Sequence, residues 1–167
     1  VLVPSVVPDP RLAVTWMPLP DAAADSLTRL VADFAGIPRT DVRIVRACRS
    51  CGSDRHGKPQ VVLAGGHTPL HVSLSRSGDL AVAVVTDAGP VGVDVEAAGP
   101  DVDDVTAWVH AESLVKATGH GLTIDPADIV DERWMRDLDA PDGYVAAVTV
   151  LTTREPRIVT TRAAPAG

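Results

Sequence analysis

The chain predicts an α+β fold, and three observations carry that expectation. Several short stretches alternate apolar and polar residues with period two, the mark of half-buried strands. Only two stretches carry apolar residues at helical spacing. Those two helices fall one in each half of the sequence, each with strands around it.

Taken in order, residues 1–10 hold three prolines and read as a loosely held arm. Arg11 to Met17 alternates as a strand that Pro18 and Pro20 end. Asp21 to Ala35 is an amphipathic helix, with Leu27, Leu30, Val31 and Phe34 on one face and Gly36 closing it. Val42 to Ala47 and Val61 to Ala64 read as strands, the second followed by a Gly65-Gly66 turn. Leu70 to Leu74 alternates, with Leu70, Val72 and Leu74 turned inward and His71, Ser73 and Ser75 outward. Leu80 to Val85 is apolar throughout, and Ala88-Gly89-Pro90 turns the chain into a strand over Val91 to Glu96. Asp103 and Asp104 suit the first turn of a helix that Gly119 and Gly121 end. Ile124 to Val130 is a connector, with Asp128 as a solvated turn residue. Glu132 to Leu138 and Tyr144 to Leu151 flank the turn Ala140-Pro-Asp-Gly143 as a hairpin. Arg157 to Thr161 is a last short strand, and Arg162 to Gly167 a tail of small residues.

Composition sets outer bounds. With 167 residues, 46% of them hydrophobic, the chain can bury a sizeable core. Aromatics make up only 3%, so Ala and Val must fill it. No apolar run approaches the roughly 20 residues of a membrane span. A formal charge of −7 argues against nucleic acid, whose phosphates demand a basic face. No basic segment followed by an apolar one marks a secretory signal, so the expectation is a cytoplasmic protein without membrane or nucleic-acid partners, acting as a monomer.

The polar residues that carry chemistry begin with Cys48-Arg-Ser-Cys51. C-x-x-C is open to zinc, disulfide and redox readings. His56 and His67 could complete a zinc site, but no second ligand pair at the usual spacing follows. Two reduced cysteines shaping a loop is the reading adopted. Gly57-Lys58-Pro59 makes a tight corner presenting one ammonium. Ser75-Arg76-Ser77-Gly78 places hydroxyls and backbone N–H groups at a strand-to-turn junction, suited to a phosphate oxygen.

Val91 to Glu96 and the second helix carry the most specific pattern. With a rise of about 3.3 Å per residue, Asp94 and Glu96 share one face of the strand, and Gly92 precedes them there, leaving room for a close approach to the backbone. On the helix, Val105, Trp108, Val109, Glu112, Val115 and Lys116 share a stripe, leaving Thr106, His110, Ser113 and Ala117 to face water. An i,i+4 Glu–Lys pair is ordinarily a solvated surface feature. Inside an apolar arc it needs partners, and Asp94 and Glu96 need a cation. One divalent metal shared by Asp94, Glu96 and Glu112 meets both needs.

GVDVE at 92–96 followed by W-x-x-x-E-S-x-x-K-A-T-G-x-G-L at 108–122 resembles the surfactin-synthetase class of 4′-phosphopantetheinyl transferases. HGKP at 56–59 and HVSLSRSGDL at 71–80 resemble that family's other two signatures, in the same order. The resemblance implies two similar α/β lobes related by a pseudo-twofold axis, residues 1–88 and 89–167. It implies transfer of phosphopantetheine from coenzyme A to a serine of an acyl or peptidyl carrier protein, with Mg²⁺. Asp94, Glu96 and Glu112 would hold the metal. Glu112, or a water held by the metal, would take the serine proton, and Lys116 would stabilise the separating pyrophosphate. Gly57, Lys58, Pro59, Ser75 and Arg76 would contact coenzyme A. Trp108 reads as packing under the site and fixing the helix. In that family the first helix holds the 3′-phosphate of coenzyme A with basic residues; here Arg29 is its one cation and reads as an exposed arginine.

Three positions depart from the family pattern: Arg76 stands where His is usual, Ala111 where Lys is frequent, and only eleven residues lie between Glu96 and Trp108. Two alternatives to a working transferase therefore stay open. One is a divergent relative with other biosynthetic chemistry, the other a non-catalytic module binding coenzyme A or a carrier protein.

Overall fold

The computed structural model describes residues 8–19, 24–48, 51–55, 57–66, 68–99, 102–120 and 124–159. Most of the N-terminal arm, the C-terminal tail, His56, His67 and Gly121 lie outside them. The described residues form two α-helices and two sheets in an α+β arrangement. In chain order the elements are β1 (Arg11–Pro18), α1 (Ala24–Ala35), β2 (Val42–Arg46), β3 (Pro59–Leu63), β4 (His71–Ser77), β5 (Leu80–Thr86), β6 (Val91–Ala97), α2 (Val102–Thr118), β7 (Trp134–Asp137), β8 (Tyr144–Val150) and β9 (Arg157–Val159). A short 3-10 turn at Arg39–Asp41 precedes β2, and another at Pro126–Asp128 is capped by the Asp125 side chain.

The larger sheet runs β2-β3-β4-β5-β1-β9, antiparallel except for the parallel β1–β9 pair. The smaller runs β6-β8-β7. Both faces of β5 are buried, which is why its sequence is an unbroken apolar run rather than an alternation. Ala81, Ala83 and Val85 pack with Leu27, Leu30, Val31 and Phe34 of α1. Leu80, Val82 and Val84 pack with Val91, Val93, Val95, Ala146, Val148 and Val150 of the smaller sheet. α2 covers the far face of that sheet, so the layers are helix, sheet, sheet, helix.

α1 ends as its sequence predicts. Gly36 takes φ +68° and the Ile37 N–H bonds the Ala32 carbonyl at 3.1 Å, a Schellman close.

The second helix corrects the expected stripe. Ser113 and Ala117, assigned to the wet side, are 0% and 1% exposed, while Trp108, expected beneath the site, is 53% exposed. The reason lies in Gly92. A Cβ there would stand 2.0 Å from the Ser113 carbonyl oxygen and 2.4 Å from the Ala117 nitrogen, so the helix backbone rests directly on the glycine. Only small residues fit a face pressed that close, and Ser113 Oγ finds Thr149 Oγ1 on β8 at 2.7 Å.

β4 needs a second correction. Ser73 and Ser75 are buried, not outward in solvent. They face the free edge of β6, whose outward N–H groups would otherwise lack partners. Ser73 Oγ accepts from Val93 N–H at 3.1 Å, Ser75 Oγ from Val95 at 3.3 Å and Ser77 Oγ from Ala97 at 3.1 Å. A ladder of serine side chains thus fastens one sheet to the other.

Candidate functional site

β6 delivers Asp94 and Glu96 to a cleft of about 380 Å³, and α2 delivers Trp108, Glu112 and Lys116 to it. Leu74, Ser75 and Arg76 of β4 complete the lining. Because α2 is seated on Gly92, Lys116 is held two residues up the strand beside Asp94.

Asp94 is 3% exposed. Its Oδ1 accepts from Ser75 Oγ at 2.8 Å and from Lys116 Nζ at 2.5 Å. Lys116 Nζ also donates to Ser75 Oγ at 3.0 Å. Taking a carboxylate out of water is costly, and this ion pair with its hydroxyl partner offsets the cost on one oxygen only. The other, Oδ2, is buried with no hydrogen-bond partner. Glu96 accepts from Ser77 Oγ at 2.9 Å through Oε2 and is half-buried.

Glu112 holds its proton more tightly than an ordinary carboxyl. Desolvation is the main cause; Lys116 works against the rise, and the neighbouring charges of Asp94 and Glu96 add to it. Glu112 therefore senses both β6 acids across a cleft that Lys116 and Arg76 also line. Among the described residues, no three His, Cys, Asp or Glu side chains are gathered into a ready-made metal cage. The donor set nonetheless fits a hard divalent cation in charge and chemistry: carboxylate oxygens, an excess of negative charge, and a buried Asp94 Oδ2 in want of a partner.

Arg76 is exposed at the rim. With Leu74 it also lines a neighbouring cavity of about 630 Å³, whose walls include Arg46, Asp25, Thr28 and Asp54. The two hollows thus share a wall. Arg29 lines neither and lies 4.0 Å from Asp25.

The sequence places six residues that the structure brings together here: Asp94, Glu96, Glu112, Lys116, Ser75 and Arg76. Gly57, Lys58 and Pro59 line neither cavity. Lys58 reaches the far end of α2, where its Nζ donates to the Ala117 carbonyl at 2.5 Å, one of the carbonyls a helix leaves without a partner. Gly57 allows a close approach, but of the chain itself: a Cβ there would meet Ala47 O and Cys48 N at 2.9 Å. Pro59 opens β3 opposite Arg46. Ser75 has its hydroxyl wholly engaged within the chain, one proton given and two contacts accepted.

Sequence reasoning missed Ser77 as the partner of Glu96 and Trp108 as a wall of the cleft. A signal for the first was present: serines at 73, 75 and 77 repeat with the period of Gly92, Asp94 and Glu96.

No protein-family model matches the chain, and a search of curated proteins finds no match either. Among the described residues no helix is long and apolar enough to cross a membrane.

Proposed function

We propose that this chain is a 4′-phosphopantetheinyl transferase, moving phosphopantetheine from coenzyme A to a serine hydroxyl of an acyl or peptidyl carrier protein. The observation that carries the reading is one cleft lined by Asp94, Glu96, Glu112 and Lys116, with an unpartnered oxygen on the most buried acid. On this reading the chain divides into two lobes, 1–88 and 89–167, with β9 of the second completing the larger sheet beside β1, and the protein works as a cytoplasmic monomer.

Asp94, Glu96 and Glu112 would hold Mg²⁺, which when bound neutralises the pyrophosphate of coenzyme A. The chain's own groups do the rest. Glu112, with its raised proton affinity, takes the proton of the carrier serine. The serine oxygen forms its bond to the β-phosphorus as the bond from that phosphorus to the bridging oxygen breaks, and 3′,5′-ADP leaves with the electron pair. Lys116, one helical turn beyond Glu112, faces the charge that develops on the leaving group. The nucleotide end extends past Arg76 into the neighbouring cavity, where Arg46 and Arg76 offer forked contacts to phosphate. Exposed Trp108 gives the arriving carrier an apolar surface beside the cleft.

Intact-mass analysis of an apo carrier protein incubated with coenzyme A, Mg²⁺ and this chain tests the reading. The expected result is a carrier heavier by one phosphopantetheine. An unchanged carrier, with coenzyme A still bound by calorimetry, supports the second reading of a relative that binds without transferring. Two features favour that alternative: the Lys116 ammonium already pairs with Asp94, and Arg76 stands where the family usually has His.

A further inference from the structure

The geometry points to Ser75 and Ser77 as positioning residues: each hydroxyl presents one oxygen of a neighbouring β6 carboxylate, Asp94 or Glu96, to the cation. This inference rests on the metal assignment just made and goes beyond it, because it gives the two serines a task other than contacting phosphate.

The serine ladder between β4 and β6 has three rungs that are alike in one respect and unlike in another. In each, a hydroxyl oxygen accepts the outward N–H of a β6 residue, Val93, Val95 or Ala97. The residue before that N–H is Gly92 on the first rung, Asp94 on the second and Glu96 on the third. Where an acid stands there, the hydroxyl bonds it: Ser75 to Asp94 Oδ1 at 2.8 Å and Ser77 to Glu96 Oε2 at 2.9 Å. Where glycine stands there, α2 fills the space.

The direction of the Ser75 bond follows from counting. A hydroxyl has one proton and two lone pairs. Val95 N–H and the Lys116 ammonium both donate to Ser75 Oγ, so its single proton is left for Asp94. That proton and Lys116 together occupy Oδ1, which turns Oδ2 into the oxygen without a partner. Ser77 repeats the device at the half-buried end of the cleft, committing Glu96 Oε2. Each acid is thereby held in one rotamer with one oxygen engaged, as partners beyond the ligands do in metal sites.

Ser73 is the internal control, since it makes the same rung without an acid. The test is Mn²⁺ binding to the full chain, read as the loss of the free-ion electron paramagnetic resonance signal, with thermal unfolding recorded for each variant. Ser73→Ala is expected to lower the melting temperature and leave Mn²⁺ affinity within about twofold. Ser75→Ala and Ser77→Ala are expected to weaken Mn²⁺ binding about tenfold or more. Ser77→Thr, which keeps a hydroxyl, is expected to restore it. Should Ser75→Ala fail to fold, the half-buried Ser77 pair decides the matter alone. Affinities equal to that of Ser73→Ala would overturn the positioning role while leaving the metal assignment standing. A wild-type chain that binds no Mn²⁺ would overturn both.

Discussion

The two helices of this protein are held by opposite means. α1 sits on the larger sheet through big apolar side chains, Leu27, Leu30, Val31 and Phe34, in the manner of any amphipathic helix. α2 sits on the smaller sheet with its backbone against Gly92 at Ser113 and Ala117, and buries Val109, Leu114 and Val115 beside that contact. The first arrangement tolerates adjustment, because flexible side chains fill the gap between helix and sheet. The second fixes the helix height over the strand to the thickness of one peptide, and that height sets where Glu112 and Lys116 meet Asp94. The helix that lines the cleft is the one whose backbone meets the sheet directly at Gly92.

Adding a methyl group at the contact gives the largest expected effect. Gly92→Ala puts a Cβ where backbone atoms of α2 already lie, and a helix displaced by about 1 Å at a catalytic centre costs on the order of 100-fold in rate. The same overpacking is expected to cost about 3 kcal/mol of stability, read by urea unfolding. Leu30→Ala is the matching test on α1. Leu30 is 3% exposed, and its truncation is expected to cost about 3 kcal/mol while the folded fraction transfers at an unchanged rate. Equal rate losses in both variants would erase the contrast between the helices.

The contrast also explains what could be read from sequence. α1 was legible because its packing face is written in large apolar residues at 3.6-residue spacing. So were the strands, β5 by its unbroken apolar run and β6 by its alternation, and four of the five charged residues of the cleft by their placement on β6 and α2. The face of α2 was not legible. Ser113 and Ala117 look like surface residues, and only knowledge that Gly92 lies opposite makes them interior. Trp108 misled for the converse reason: a large apolar ring usually marks a core, yet here it forms a wall of the cleft and is 53% exposed. Ser73 and Ser75 misled because an edge strand's free N–H groups are invisible in a sequence until the edge is known.

Acid and base should act on the two halves with opposite sign. His71, in β4, is pushed below its ordinary value of 6.5 by burial first and by the Lys58 charge second. The folded chain then binds fewer protons there than the unfolded one, so this stabilisation is present above pH 6.5 and lost as the pH falls through the depressed value. His71→Gln is expected to flatten that acid-side decline in a series of melting temperatures. Glu112 is shifted the other way, upward from 4.5, so its contribution is full below 4.5 and lost as the pH rises through the raised value. Glu112→Gln is therefore expected to abolish transfer while leaving stability at neutral pH equal to or above wild type. A marked destabilisation at neutral pH would show that Glu112 is held for structure.

The smallest effect is expected at the far end of α2. Lys58→Met removes the ammonium from the Ala117 carbonyl and should cost about 0.5–1 kcal/mol, the usual worth of a cation at a helix C-terminus. If transfer instead falls far more than stability, Lys58 also meets the substrate.

The most direct test of the central claim is the carrier's mass after incubation with coenzyme A and Mg²⁺, compared between the wild-type chain and Asp94→Asn, each shown to be folded by circular dichroism. The account predicts full conversion by the wild type and none by the variant, whose amide keeps the shape of the site but loses the charge that Lys116 and a metal share. Conversion at the same rate by both, or by neither, would contradict it.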